Sequence, residues 1–129
     1  MANTKPPVDS VETVRYVLEE GKKTGIHVET CACVSVGMKG QELTDMDALK
    51  AAGAIGFTDD GIPLMNEKLV YDAMMKAKEL NVPLSFHEED PAFITETGLT
   101  PGNRLRRWEY TGSPALAEAS LVARDCMIA

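Results

Sequence analysis

The chain has 129 residues, of which 44% are hydrophobic and 26% charged, and its formal net charge is -7 at pH 7. This length and composition indicate one globular domain with its own core and exclude a disordered chain. The acidic balance argues against an extended surface for nucleic-acid phosphates. There is no run of about 18 apolar residues and no apolar stretch of a signal peptide, so a soluble, cytoplasmic protein without membrane association is expected.

The first predicted element is a helix over about residues 10–23, capped by Asp9 or Ser10. Its apolar residues recur at steps of three and four: Val11, Val14, Val17 and Leu18. A second, short helix is expected to begin at a Thr44 cap and stop at Gly53. A third and stronger helix opens at Asn66. Its apolar stripe consists of Leu69, Val70, Ala73, Met74 and Ala77, and the Met74-Met75 pair is interpreted as core filling.

Between these helices lie three apolar stretches, residues 26–36, 54–58 and 82–86, which predict buried strands of a parallel sheet. Strands that alternate with helices call for right-handed crossovers and an α/β fold. A sheet of only three strands would leave its edges exposed. The pattern therefore indicates that more sheet belongs to this fold.

The region after the third strand, residues 88–110, is predicted to be a long irregular loop, because prolines and glycines punctuate it. Its basic cluster of Arg104, Arg106 and Arg107 beside Trp108 is interpreted as a solvated loop face, with anion binding as the alternative. Ser113 is expected to cap a last helix that runs to the chain end.

The three cysteines, Cys31, Cys33 and Cys126, are an odd number in a chain without an export signal. This favours free thiols over a disulfide framework. Cys31 and Cys33 would share one face of a strand, but no second pair of cysteines or histidines lies nearby to complete a zinc site. We therefore interpret them as packing residues.

Two of the predicted strands end in acids or a histidine. Asp59 and Asp60 follow the second strand, and His87 follows the third. The carboxyl ends of parallel strands meet at one edge of a barrel, so these side chains are expected to converge. Asp60 and His87 are suitable ligands for zinc, whereas His27, at the start of its strand, is assigned a structural role. From spacing alone, a metal site and an ordinary turn with a hydrogen-bonded histidine both remain open.

Four stretches together resemble the middle of a bacterial class I dihydroorotase, within the amidohydrolase superfamily. They are residues 3–10 (Asn-Thr-Lys-Pro-Pro-Val-Asp-Ser), 56–61 (Gly-Phe-Thr-Asp-Asp-Gly), 87–90 (His-Glu-Glu-Asp) and 112–118 (Gly-Ser-Pro-Ala-Leu-Ala-Glu). The resemblance implies that residues 1–129 are an internal fragment of one barrel domain. The fold expected is a partial (β/α)8 TIM-type barrel, from the end of strand two to strand five with their helices.

The resemblance also implies a function, the zinc-dependent reversible cyclisation of N-carbamoyl-L-aspartate to (S)-dihydroorotate in pyrimidine biosynthesis. Asn3 matches a residue that holds the substrate carboxylate, and Asp60 and His87 match metal ligands of a centre with one or two Zn2+ ions. Asp59, adjacent to Asp60, is expected to support the metal site from behind the ligands. A homodimer or an association with aspartate transcarbamoylase is a possible arrangement of the complete protein.

The chain also departs from the family pattern. The His-x-His-x-Arg motif expected before Asn3, and a further histidine and the aspartate general base expected after Ala129, are not in this sequence. The segment Thr97 to Thr111 differs from the family's usual Asn-Gly-rich loop. The isolated fragment is therefore predicted to be inactive and to hold zinc weakly.

Three other functions are alternatives. A hydantoinase- or allantoinase-like amidohydrolase is disfavoured by Asp60, because those relatives resemble a lysine-bridged form. A non-catalytic dihydroorotase-like subunit that binds aspartate transcarbamoylase is disfavoured by the retention of Asp60 and His87. A small stand-alone α/β binding module is the third, and cooperative unfolding of the 129 residues would be its signature.

Overall fold

Four α-helices lie in the part of the chain that the computed structural model describes, residues 1–95 and 112–129. They are α1 (Val11–Lys22), α2 (Met46–Ala51), α3 (Glu67–Leu80) and α4 (Leu116–Ile128). Short 3-10 helices occur at Val36–Met38 and Pro91–Phe93. The chain divides into two compact units, Met1–His87 and Glu88–Ala129. Over the described ranges, no helix is both long and apolar enough to cross a membrane.

The helices of the first unit begin where a polar side chain can accept hydrogen bonds from their first free N–H groups. Ser10 caps α1 in a reciprocal capping box with Thr13, and Asn66 caps α3 by accepting from Lys68 N and Leu69 N. The predicted cap of α2 is wrong by one residue, since Asp45 accepts from Ala48 N at 3.0 Å.

Thr44, the expected cap, instead donates its hydroxyl to the carbonyl of Cys33 at 2.8 Å. A buried hydroxyl needs a partner, and this one finds it in the neighbouring extended backbone rather than in the helix. Thr44 therefore joins the loop before α2 to the first extended segment.

Three extended segments lie side by side in the order in which they occur in the chain. Phe57 forms parallel bridges with Ala32 on one side and Leu84 on the other. The bonds are Thr58 N to Ala32 O at 2.9 Å and Ser85 N to Phe57 O at 3.0 Å, among others. In residues 1–95 and 112–129 these bridges are isolated and no continuous strand forms. The predicted parallel order is thus present, but the predicted strands are reduced to single bridged positions.

The core of the first unit is built around the middle segment. Phe57 is the largest fully buried side chain and is 1% exposed. Apolar side chains from the helices and the first segment surround the same core: Val14, Val34, Leu49, Val70 and Ala73. Two expectations are wrong. The stretch 26–36 is not buried throughout, since Ile26 is 71% exposed, and Met75 is 50% exposed on the outer face of α3 rather than in the core.

The second unit is described by α4 and the 3-10 helix Pro91–Phe93. The predicted Ser113 cap is wrong: α4 starts after Ala115 without a side-chain cap, and Ser113 Oγ accepts from Thr95 N at 3.1 Å. Asp90 N donates to Ala117 O at 2.9 Å. The basic cluster of residues 104–107, Trp108 and the whole segment 97–111 lie outside the described residues.

Candidate metal and substrate site

The second and third extended segments present Asp60 and His87 next to each other. Phe57 and Leu84 are bridge partners, and each of the two polar residues follows three positions later on its own segment. Paired parallel segments run in the same direction, so residues at the same offset beyond the bridge emerge at the same edge. His87 Nδ1 lies 4.0 Å from Asp60 Oδ1, and the two side chains are 31% and 40% exposed. The structure therefore brings together the two predicted metal ligands.

Asn3 lies against the residue that follows Asp60. A Cβ added to Gly61, whose φ is 87°, would come within 3.3 Å of Asn3 Nδ2. The backbone around Asn3 is held by Val8 N, which donates to Ala2 O at 3.0 Å. This turn is in turn joined to the first segment, because Cys33 N donates to the Val8 carbonyl at 2.8 Å. All three predicted site residues thus occur in the first unit.

The carboxylate of Asp59 points the opposite way, into the protein. Successive side chains of an extended segment alternate in direction, and Asp59 is 1% exposed while Asp60 is accessible. Asp59 Oδ1 accepts from Val34 N at 2.7 Å, and Oδ2 accepts from Ser35 N at 3.1 Å and from the Ser35 hydroxyl. Asp59 is therefore a buried acceptor that ties the second segment to the end of the first.

Burial raises the pKa of the Asp59 carboxyl, and the nearby charge of Asp9 acts in the same direction. The hydrogen bonds from Ser35 and Val34 oppose this effect, because they favour the charged form. Burying an ionised carboxylate costs free energy, and the hydrogen bonds that Asp59 accepts offset that cost. This arrangement differs from that of Asp60, which needs no such compensation at the surface.

The Ser35 turn, residues 35–40, is the element that Asp59 holds. Gly40 N donates to Ser35 Oγ at 2.9 Å, and Gly37 N donates to Asp9 Oδ2 at 2.8 Å. Gly37 and Met38 adopt left-handed backbone conformations with φ values of 61° and 56°. Such a conformation is strained for Met38 and persists only where surrounding contacts enforce it. The carboxylates of Asp59 and Asp9 therefore accept hydrogen bonds from a turn that contains strained backbone.

The donor set at the accessible edge suits a zinc ion in part. Carboxylate oxygen and imidazole nitrogen are zinc ligands, and two ligands of one tetrahedral ion lie about 3.3 Å apart when their bonds are about 2.0 to 2.1 Å long. The 4.0 Å between Asp60 and His87 is close to this spacing. In the described ranges there is no group of three or more His, Cys, Asp and Glu residues placed to hold a metal. Asp60 and His87 therefore fit as two members of a larger ligand set.

The remaining candidates lie elsewhere. The His27 side chain is 86% exposed, and its Nε2 is 3.1 Å from Glu29 Oε1, so it occupies the surface. The three cysteines are free thiols, with Cys33 buried and Cys126 exposed. Burial raises the pKa of the Cys33 thiol to about 12, and the charges of Asp59 and Asp9 contribute. The packing interpretation holds for Cys33.

Sequence reasoning missed Ser35 and Asp9, which organise the loop behind the candidate ligands. One feature of the sequence could have indicated that such buried partners exist, namely the pair of adjacent acids at the end of an apolar segment. When two such residues follow each other on extended backbone, one of them faces the interior and must find buried donors. The identity of those donors depends on a neighbouring segment 24 to 25 positions earlier in the chain.

Comparisons with known proteins cover the whole chain. Residues 1–129 match a family model described as dihydro-orotase-like. The chain is 50% identical to dihydroorotases of Clostridioides difficile and Clostridium acetobutylicum, and 43% identical to that of Streptococcus pneumoniae, over 129 residues in each case. All of this chain is aligned, but it spans only 30 to 31% of the length of these curated relatives.

Proposed function

This chain belongs to the dihydro-orotase-like family, and from that premise we propose that the protein containing it is a dihydroorotase. The reaction would be the reversible cyclisation of N-carbamoyl-L-aspartate to (S)-dihydroorotate, with Zn2+ as the cofactor. Residues 1–129 would form part of the wall of a (β/α)8 barrel and would belong to a single domain. Three parallel segments in sequential order, each preceded by a helix, support this architecture.

The observation that carries the proposal is the placement of Asp60 beside His87, at 4.0 Å, on neighbouring parallel segments. Zinc held there would polarise the amide carbonyl of the substrate and make a water molecule more acidic. Asp60 and His87 would hold the ion through Oδ1 and Nδ1, with further ligands from elsewhere in the protein. Both side chains are partly exposed, so they are accessible to an ion and to a small substrate.

Asn3 is proposed to bind the substrate carboxylate through its amide N–H groups. Its Nδ2 lies beside Gly61, next to Asp60, so a substrate at the metal would extend toward it. Glycine at position 61 leaves the space that this amide occupies. A hydrogen bond from a neutral amide to a carboxylate orients the substrate without adding charge to the metal centre.

The first test is turnover by the complete protein. We expect carbamoyl aspartate to be cyclised, and we expect Asp60→Asn and His87→Ala each to lose at least about 100-fold in kcat/KM, because several kcal/mol of metal-dependent stabilisation are lost. His27→Ala is the matched histidine control and should retain activity, since that side chain lies on the surface. Bound zinc should be measured in all four proteins.

A panel of cyclic amides distinguishes the alternatives. Hydrolysis of hydantoins or allantoin without turnover of carbamoyl aspartate would replace the proposal with the hydantoinase-like function. Absence of turnover together with tight co-elution with aspartate transcarbamoylase would favour the non-catalytic subunit. A homodimer, that association and a cytoplasmic location remain predictions.

A further inference from the structure

Asp59 has no role in the proposed chemistry, yet it is among the most completely buried side chains of the first unit. It makes its contacts with backbone and hydroxyl groups of Val34 and Ser35. A buried carboxylate is expensive to keep, so a purely apolar side chain would be the simpler way to fill this position. Its contacts therefore need an explanation.

The Asp59 carboxylate connects two loops at the edge of the site. Through Ser35, whose Oγ also accepts from Gly40 N, it closes the Ser35 turn. The main-chain carbonyl of Asp59 accepts from Ile62 N at 2.9 Å, and this hydrogen bond closes the turn over residues 59–62. Gly61, with φ of 87°, occupies the third position of that turn, and such a left-handed residue at this position is typical of a type II turn. Asp60 is the second residue of the same turn.

The direction of Asp60 thus depends on how Asp59 is held. The backbone alternates, so fixing the Asp59 side chain inward on the first segment turns the Asp60 side chain outward toward His87. If Asp59 were free to rotate, the turn over residues 59–62 would lose its side-chain connection to the first segment and keep only backbone bonds such as that from Thr58 N to Ala32 O. Asp60 would then keep its chemistry but lose its position relative to His87.

We propose that Asp59 is a positioning residue for the metal site, because its buried hydrogen bonds to Val34 and Ser35 lock the 59–62 turn to the Ser35 turn and aim Asp60 at His87. It does not touch the ion or the substrate. This inference rests on the proposed metal-binding role of Asp60 and His87. It extends that role to residues of the first extended segment, which contribute no ligand themselves.

The decisive variant is Asp59→Asn, which keeps the size of the side chain. Ser35 N donates to both carboxylate oxygens, at 3.2 and 3.1 Å, so either orientation of the amide places its NH2 group against a donor. The lock is therefore weakened without creating a cavity. Asp72→Asn is the control for the same chemical change away from the site, since Asp72 is an accessible carboxylate on α3 that pairs with Lys68.

The experiment uses the complete protein, stripped of metal and titrated with Co2+, whose visible absorption reports the ligand geometry. We expect Asp59→Asn to raise the Co2+ dissociation constant by about 10- to 100-fold, the range seen when groups that support metal ligands are changed. We also expect an altered absorption spectrum, because Asp60 would be displaced relative to His87. Asp72→Asn should match the wild type in both. A merely structural role would lower the melting temperature while leaving the affinity and spectrum of the folded protein unchanged.

Ser35→Ala is the second variant, in case Asp59→Asn does not fold. It removes one donor to Asp59 and the acceptor of Gly40 N, and we expect a weaker effect of about tenfold on the Co2+ dissociation constant. Wild-type affinity in every folded variant of this pair, or an equal loss in Asp72→Asn, would overturn the inference. If the wild type binds Co2+ but does not turn over carbamoyl aspartate, only the proposed reaction fails, and the affinity comparison still decides the role of Asp59.

Discussion

Asp59 and Asp60 are neighbours in the chain, yet they belong to two regions with opposite properties. On the inner side, Asp59 is 1% exposed and accepts hydrogen bonds from backbone and hydroxyl donors. On the outer side, the Asp60 side chain is 40% exposed and faces His87 at 4.0 Å. The inner region is specified by buried hydrogen bonds, whereas the outer region keeps its polar groups accessible. We therefore expect changes on the inner side to act mainly on stability and changes on the outer side to act mainly on the proposed metal binding.

The largest expected effect comes from breaking the inner side. Asp59→Ala leaves the N–H groups of Val34 and Ser35 without acceptors in the interior, so we expect a loss of about 3 kcal/mol or more in the free energy of unfolding. Asp60→Ala should change it by less than about 0.5 kcal/mol while weakening metal binding. Urea unfolding of the complete protein measures the difference, and equal losses for both variants would contradict the separation.

Gly61→Ala tests the outer side without removing a polar group. Alanine at φ 87° is strained, and its Cβ would come within 3.3 Å of Asn3 Nδ2. We expect a loss of about 1 to 2 kcal/mol in stability from the left-handed backbone, together with a raised KM because Asn3 is displaced. Gly25→Ala is the control, since Gly25 has φ of 77° with nothing within 4 Å of an added Cβ. It should show the stability loss with an unchanged KM.

A change far from both sides should affect stability alone. Asn66 caps α3 by accepting from Lys68 N and Leu69 N. Asn66→Ala should lower the free energy of unfolding by about 1 kcal/mol, and the Co2+ dissociation constant should stay at its wild-type value. Asn66→Asp preserves the cap and should restore stability. A weakened Co2+ affinity in Asn66→Ala would mean that metal binding follows global stability. The effects of the inner-side and outer-side variants on Co2+ affinity could then not be assigned to position alone.

Cysteine labelling measures how accessible the inner side is to solvent, and it requires no substitution that would change stability. Cys33 precedes Val34, its thiol donates to Ala2 O, and its pKa is raised to about 12. At pH 8 the thiol is protonated, because this pH lies well below the folded-state pKa, and thiolate is the reactive form. Iodoacetamide should therefore modify exposed Cys126 and spare Cys33 in the native protein. Labelling of Cys33 at the rate of Cys126, detected by peptide mass, would show that the inner side opens readily.

Local patterns predicted the helices well. The predictions for α1 and α3 are confirmed, because the apolar period and the caps Ser10 and Asn66 are encoded within a few residues. Predictions failed where a polar side chain had a competing distant partner. Thr44 bonds the first segment instead of capping α2, and Ser113 accepts from Thr95 N instead of capping α4. A propensity for capping cannot reveal which donor or acceptor the fold will bring closer.

Burial was predicted less well than periodicity. Met75 follows Met74 and was expected in the core, but it lies on the outer face of α3 with 50% exposure. A helix turns by about 100° per residue, which places Met75 on the side of α3 opposite the buried residues Leu69, Val70 and Ala73. Ile26 is likewise exposed although its stretch is apolar. Apolar character alone does not tell which end of an extended segment the neighbouring helices cover.

The sequence by itself determined the alternation of helices and extended segments and the family. It also indicated Asp60 and His87, which follow neighbouring segments, as candidate ligands. Tertiary structure alone decided that Asp60 Oδ1 and His87 Nδ1 approach to 4.0 Å and that Asp59 turns inward to Val34 and Ser35. The physical reason is distance along the chain. Periodicity and caps act over a few residues, whereas the partners of a buried carboxylate are chosen by the packing of segments more than 20 residues apart.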